Sequence, residues 1–258
     1  MNNFKISLFL IGWFLVFFCH SQVVIGTYYS KVFVGRGEEK IVGVDSVYMN
    51  TLILEDGAKL KFAKNSILIV KNAFIGENCE LSSAGLNGFD GKFQNQLDGG
   101  HGEDGKHLIL IINFKKLGNL KISTNGGSGG KGALGSPGYN GEPGSNGGDG
   151  QKGGHGGNGG NGGDLTLIYY CEGFTPTFNG SQKGRHSIQL DYFGGEGGIA
   201  GRGGPAGRGG PPPKRIEYLN GVKRVIIEGP AGKNGWKGVD GSHGMRGRDG
   251  ELIFRRSD

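Results

Sequence analysis

The sequence predicts a mostly β protein with irregular structure, in which short N-terminal strands precede a glycine-rich bundle of polyproline-II helices with interleaved strands. Glycine supplies 57 of the 258 residues, whereas ordinary proteins contain about 7%. Much of this glycine recurs at every third position, and short apolar segments separate the glycine runs. We expect almost no α-helix outside an N-terminal signal peptide.

Residues 1–21 have the features of a signal peptide. Lys5 supplies a positive charge, and residues 6–18 are mostly apolar but too short to cross a bilayer comfortably. Cleavage before Gln22 is expected, while a lipid anchor at Cys19 and an uncleaved segment are the alternatives. Because no later segment is apolar enough to span a membrane, the sequence predicts a secreted or bacterial cell-surface protein.

Residues 22–84 form a predicted β-rich domain. Apolar residues alternate with other residues over short stretches, as at Leu52 and Leu54. Turn-forming pairs such as Asp56-Gly57 interrupt the alternation, which is typical of short strands joined by tight turns. The segment 74–81 looks like one rung of a β-solenoid, but a hairpin sheet explains the pattern equally well.

Residues 85–258 form the second predicted domain, in which glycine has a period of three. The longest run places glycine at every third position from 126 to 162, and further runs cover 195–210 and 229–250. Strand-like apolar segments, such as 107–114, lie between the runs. The glycines predicted to be structural are Gly126, Gly129, Gly132, Gly147, Gly150, Gly153, Gly156, Gly159, Gly162, Gly232, Gly235, Gly238, Gly241, Gly244 and Gly247.

A period of three in glycine has a physical meaning. A polyproline-II helix has three residues per turn, so these glycines would line one edge of it. Without a Cβ atom, that edge lets a neighbouring backbone approach closely. Because such a helix has no internal hydrogen bonds, its buried amides need partners on adjacent segments.

The composition of the longest run favours helices of one chain packed together over a collagen triple helix. Collagen-like sequences contain roughly 15–20% proline, but only Pro137 and Pro143 occur between Gly126 and Gly163. Many intervening positions are also glycine, which suits a helix packed on more than one edge. A monomer is therefore favoured over a trimer, with a trimeric stalk and a disordered chain as the alternatives.

The runs of glycine at every third position resemble the collagen-like repeat proteins of bacteria. Their low proline content, extra glycines and strand interruptions look more like polyproline-II bundle proteins. These include glycine-rich antifreeze proteins, the amino-terminal domain of Obg-type GTPases, glycine-rich phage tail adhesins and the ectodomain of anaplastic lymphoma kinase receptors. The resemblance covers only the period and implies an extracellular recognition or structural role.

Cys79 and Cys171 are the cysteines that remain after signal cleavage. An oxidising compartment would permit a disulfide between them. The sequence does not show whether the two sulfur atoms lie close together, so two separate buried thiols are the alternative.

The motifs of catalysis are missing from this sequence. No Gly-Lys-Ser/Thr follows a glycine loop, no nucleophile elbow or carboxylate pair occurs, and the histidines lack metal-ligand spacing. We therefore expect no enzyme activity, no cofactor and no metal. An enzyme that acts on polysaccharide through the β-solenoid part is the distant alternative.

The basic C-terminal third gives the best hint of a partner. Residues 183–258 contain fourteen Lys/Arg against eight Asp/Glu, which accounts for the whole net charge of +6. Export argues against intracellular nucleic acid, so an acidic polysaccharide or other surface polyanion is the expected partner. The predicted contact residues, against the alternative of a merely solvated surface, are Arg202, Arg208, Lys214 and Arg215.

These observations predict a non-catalytic structural or recognition protein, secreted or on the cell surface, with a role in adhesion. It would present a rigid polar surface of polyproline-II helices. A trimeric collagen-like stalk is the main alternative function.

Overall fold

The computed structural model describes residues 26–92, 97–179 and 185–257, so the predicted signal peptide lies outside the described residues. The described residues contain fourteen strands and no helix. The strands are β1 (Thr27–Val34), β2 (Glu39–Val42), β3 (Ser46–Leu54), β4 (Lys59–Phe62), β5 (Ser66–Ile75), β6 (Cys79–Ser82), β7 (Leu108–Leu117), β8 (Asn119–Ser123), β9 (Leu165–Cys171), β10 (Thr177–Phe178), β11 (Ser187–Asp191), β12 (Lys214–Leu219), β13 (Val222–Ile227) and β14 (Leu252–Arg256).

Two six-stranded parallel sheets organise the fold. The long-strand sheet has the order β1-β3-β5-β7-β9-β14, and the short-strand sheet has the order β10-β11-β8-β6-β4-β2. From β1 to β9 the chain passes alternately from one sheet to the other, so it winds in coils that stack on one another. Parallel pairing of β1 with β3 and of β2 with β4 excludes the hairpin sheet that the sequence left open for residues 22–84.

The core lies between the two sheets and is built from aliphatic ladders. In the long-strand sheet, Leu68 pairs with Leu110, which pairs with Leu167, and all three are fully buried. In the short-strand sheet, Leu60 and Leu81 occupy the equivalent buried ladder. Burying each of these side chains contributes about 1.5–3 kcal/mol, which explains why period-two alternation selects this arrangement.

Three glycine-rich insertions lengthen successive coils without changing the sheets. They follow β6, β8 and β11, and their described residues are 83–92 with 97–107, 124–164 and 192–251. Each leaves the short-strand sheet and returns to the long-strand sheet. The third insertion carries the antiparallel hairpin β12–β13 at its far end.

The predicted fold class is wrong. The sequence predicted irregular structure with a polyproline-II helix bundle, interrupted by short strands, as the dominant part of residues 85–258. Instead, β7, β8, β9, β11 and β14 belong to the same two parallel sheets as the N-terminal strands. The physical reason is that their alternating apolar residues match those of the earlier coils, so they extend one common core across the expected boundary at residue 84.

Candidate recognition surfaces

The three insertions form six arms, which together we call the glycine plate. Each insertion contains an outward arm (84–92, 125–144 or 192–213) and a return arm (97–107, 145–164 or 229–251). The two arms of an insertion run antiparallel, because their hydrogen bonds step in opposite directions along the chain. In the second insertion, Gly154 donates to the carbonyl of Ala133, and Gly157 donates to that of Gly130.

Hydrogen bonds also join arms from different insertions. Gly85 donates to the carbonyl of Asn125, and Gly88 donates to that of Ser128, at 2.9 and 2.8 Å. These steps of three in the same direction show that successive outward arms run parallel. The return arms stack in the same way, so the plate is one hydrogen-bonded array.

The return arm of the second insertion (145–164) is the central return arm of the plate. One of its triplets shows that all three backbone amides donate hydrogen bonds. Gly157 donates to the carbonyl of Gly130, and Gly159 donates to that of Met245, at 2.9 and 2.8 Å. The amide between them, that of Asn158, donates to Nδ1 of His101 at 2.8 Å. Since an unpaired buried amide is costly, satisfaction of all three donors stabilises the packed arm.

Side-chain acceptors form ladders across the plate. Asp104 accepts from the amide of Asn161, whose own side chain accepts from the amide of Arg248. Asparagine, aspartate and unprotonated histidine suit this role because each has a side-chain acceptor, whereas lysine has none. Asparagine, aspartate and histidine side chains accept such an inter-arm bond at Asn87, Asp90, Asp98, His101, Asp104, His107, Asn125, Asn140, Asn146, Asp149, His155, Asn158, Asn161, Asp164, Asn234, Asp240, His243 and Asp249.

These ladders are a structural feature that the sequence interpretation missed. The sequence did contain a sign of them, because Asn158, Asn161 and Asp164 recur at every third position, each directly after a glycine. Their partners, however, lie 57 or 87 residues away along the chain, and no local pattern identifies such distant neighbours.

The fifteen predicted structural glycines all face the backbone of another arm. A Cβ atom at Gly150 would overlap the carbonyl oxygen of Gly204, and one at Gly156 would overlap that of Gly198. A Cβ at each of the other thirteen would likewise overlap a backbone carbonyl oxygen. The plate therefore has no room for side chains at these positions.

The predicted polyanion-binding residues lie on the third insertion. Arg202 and Arg208 are exposed on its outward arm, and Lys214 and Arg215 begin β12. Six residues of extended chain separate Arg202 from Arg208 by about 20 Å. Arg202, Arg208 and Lys214 therefore follow one another in a line along the chain, and Arg215 adjoins Lys214. The guanidinium group of Arg215 pairs with the carboxylates of Glu217, at 2.8 Å, and of Glu228 across the hairpin, at 2.7 Å. These two ion pairs offset its charge.

Cys79 and Cys171, the cysteines among the described residues, are free and buried, so the disulfide that the sequence left open between them is not formed. Cys79 begins β6 in the short-strand sheet, where its Sγ lies 3.1 Å from the carbonyl oxygen of Glu55. Cys171 ends β9 in the long-strand sheet. Burial raises the pKa of both thiols, that of Cys171 to about 11, so both are protonated at neutral pH.

Across residues 26–92, 97–179 and 185–257, no group of three or more His, Cys, Asp and Glu side chains is placed to hold a metal ion. The histidines at 101, 107 and 155 instead accept amide hydrogen bonds within the plate. In the same described part, no helix is long and apolar enough to cross a membrane.

Comparison with protein families, with curated proteins and with solved structures finds no match to this chain.

Two aspartates on the return arm of the third insertion make the stability of the plate depend on pH. Asp240 accepts from the amide of Gly203 at 2.8 Å and pairs with Lys237 at 3.2 Å. The hydrogen bond from Gly203, and next the lysine, lower the pKa of Asp240. Asp249 accepts from Gly194 in the same way, and this bond is the main cause of its lowered pKa. Their stabilisation is complete above the ordinary value of 3.8 and is lost as the pH falls through the lower folded-state pKa.

Replacing Gly150 by alanine should destabilise the protein by about 1–3 kcal/mol, because the added Cβ meets the backbone of Gly204. Urea unfolding measures the change in free energy. The matched control is Gly43→Ala, where a Cβ would have no neighbouring atom within 4 Å, and we expect almost no loss there. Equal losses at the two positions would contradict the packing of the plate.

Acidification should loosen the third insertion, since protonated Asp240 is a weaker acceptor for the amide of Gly203. Hydrogen exchange at Gly203 should lose protection, relative to the free-chain rate, as the pH falls below the folded-state pKa. Asp240→Asn keeps an acceptor, as Asn234 provides for Gly209 at 2.9 Å, and should abolish this pH dependence. An unchanged pH profile in the variant would show that another group is responsible.

Proposed function

We propose that this chain is a non-catalytic structural or recognition protein, secreted or attached to the cell surface, that presents the glycine plate as a rigid polar surface. The observation that carries the proposal is the hydrogen bonding between all six arms. Because backbone and side-chain acceptors bind every amide from Gly153 to Asp164, the side chains of this segment stand at set positions. A surface that is ordered before binding loses little entropy when a partner arrives.

The bonding pattern supports a monomer as the working form. Amides of the plate find acceptors on other arms of the same chain, such as Gly195 on Gly160 and Gly244 on Gly198. A collagen-like trimer would have to take the same donors for contacts between chains. The pattern therefore favours a self-contained plate over the trimeric stalk.

The partner that we propose for the plate is an acidic polysaccharide or another surface polyanion. The third insertion forms the last layer of the plate, and its outward arm exposes Arg202 and Arg208, with Lys214 at the end of that arm. A line of cations suits a linear polyanion, which can contact successive charges along its length. Long-range attraction to the basic third would also speed encounter.

Retention on heparin tests this partner. The variant Arg202→Gln/Arg208→Gln/Lys214→Gln should elute at lower salt, and the dependence of binding on salt should fall by about two to three ions. The matched control, Lys59→Gln/Lys61→Gln/Lys121→Gln, removes three cations that each pair with an acidic side chain.

We expect the control to elute close to the parent protein, because its acidic partners already offset the charges that it removes. If both triple variants shift equally, net charge alone explains retention. If neither shifts, the line of cations does not bind polyanions.

A further inference from the structure

Two rows on the outer face of the long-strand sheet are mostly apolar. Tyr28 pairs with Tyr48, and the row continues through Ile69, Ile111 and Ile168. The two tyrosine rings stack with their centroids 5.4 Å apart. A second row contains Ile67, Ile109 and Ile253, which are 38%, 38% and 56% exposed. We call these two rows, with the exposed cations beside them, the basic apolar face.

Charges on this face have one sign. The six strands of the long-strand sheet contain six lysine and arginine residues and no aspartate or glutamate. Lys115 pairs with Glu172, which follows β9, and Arg256 donates to the carbonyl of Cys171. The remaining four cations are exposed side chains of these strands, namely Lys31, Lys71, Lys116 and Arg255.

The short-strand sheet shows what a water-facing surface of this protein looks like. Its outer row alternates in charge, with Glu39 beside Lys59, Lys59 beside Glu80, and Glu80 beside Lys121. Ion pairs run through this surface, including Lys61 with Glu39 at 2.8 Å. The two faces of one solenoid core therefore differ sharply, although both are built from the same coils.

We propose that the basic apolar face is a docking surface for an anionic lipid bilayer. Isoleucine and tyrosine side chains would enter the boundary between headgroups and acyl chains, as the apolar faces of interfacial helices do. The lysines and the arginine would pair with lipid phosphates, and each such cation adds to the attraction. This proposal is independent of polyanion binding by the third insertion.

The apolar rows extend across several strands. Neighbouring strands lie about 4.8 Å apart, so a row across five strands presents its side chains over about 20 Å. Hydrogen bonds between the strands already satisfy the backbone of this region. The face can therefore approach a medium poor in water without exposing unpaired amides.

Other occupants fit the face less well. A second copy docked face to face would bring like charges together, since the strands of neither surface contain a carboxylate. An acidic polysaccharide would engage the cations but would leave the isoleucines in water. Anionic lipid is the class that satisfies both features, because one molecule carries a negative headgroup and apolar chains.

Sedimentation with vesicles of phosphatidylcholine, with or without phosphatidylglycerol, tests the proposal on the chain from residue 22. The protein should bind only the anionic vesicles, and added salt should weaken binding. Lys71→Gln/Lys116→Gln/Arg255→Gln should lower the partition coefficient about 100-fold. Ile109→Ser/Ile111→Ser should lower it at least about tenfold.

Controls separate membrane contact from loss of charge or of stability. The triple variant at Lys59, Lys61 and Lys121 and the variant Ile41→Ser make changes of the same kind on the short-strand sheet, where Ile41 is 70% exposed. The isoleucine control replaces one residue, and the test variant replaces two. Both should bind vesicles like the parent. Thermal melting checks that the isoleucine variant is folded, and the charge variant tests the face even if the isoleucine variant is not.

Three results would overturn the proposal. Equal binding to neutral and anionic vesicles would show that the cations play no part. A concentration-dependent dimer that the isoleucine variant loses, without vesicle binding, would identify a second copy as the occupant. Retention on heparin that depends on Lys71, Lys116 and Arg255, again without vesicle binding, would identify a polysaccharide.

Discussion

The backbone amides of the glycine arms need acceptors outside their own arm, and the rest of the plate follows from that need. Glycine allows the close approach that these bonds require, as at Gly159, whose amide reaches the carbonyl of Met245 at 2.8 Å. Side chains of asparagine, aspartate and histidine then take the amides that no carbonyl reaches. The glycine, asparagine, aspartate and histidine content of the arms therefore matches the hydrogen bonds that the arms make.

The sheets and the plate share one register. Leu108 pairs with Leu165 in the long-strand sheet, and the same spacing along the chain joins His101 to Asn158 in the plate. The parallel strands therefore set the alignment, and the arms continue it beyond the edge of the core. This continuity makes the plate an extension of the coils, and it explains how arms without a hydrophobic core of their own are kept in order.

The sequence predicted local features better than distant ones. Glycine at position 150 could be expected to face another backbone, because a period of three leaves no other role for thirteen glycines in register. The identity of that backbone, at Gly204, could not be expected, since it lies 54 residues away.

Distance along the chain also explains the wrong fold class. Leu110 looked like part of an isolated strand, because its partners Leu68 and Leu167 come from other coils. Of the predicted cations, Arg215 has one carboxylate partner two residues away, Glu217, and one that only the β12–β13 hairpin brings close, Glu228.

Residue-resolved hydrogen exchange in the central return arm tests the account most directly. The amides of Gly157, Asn158 and Gly159 should all exchange slowly, because two donate to carbonyls and one to a histidine side chain. Slow exchange at the asparagine is the decisive part, since no backbone ladder protects it. Exchange of these three amides at the free-chain rate would contradict the shared bonding of the arms.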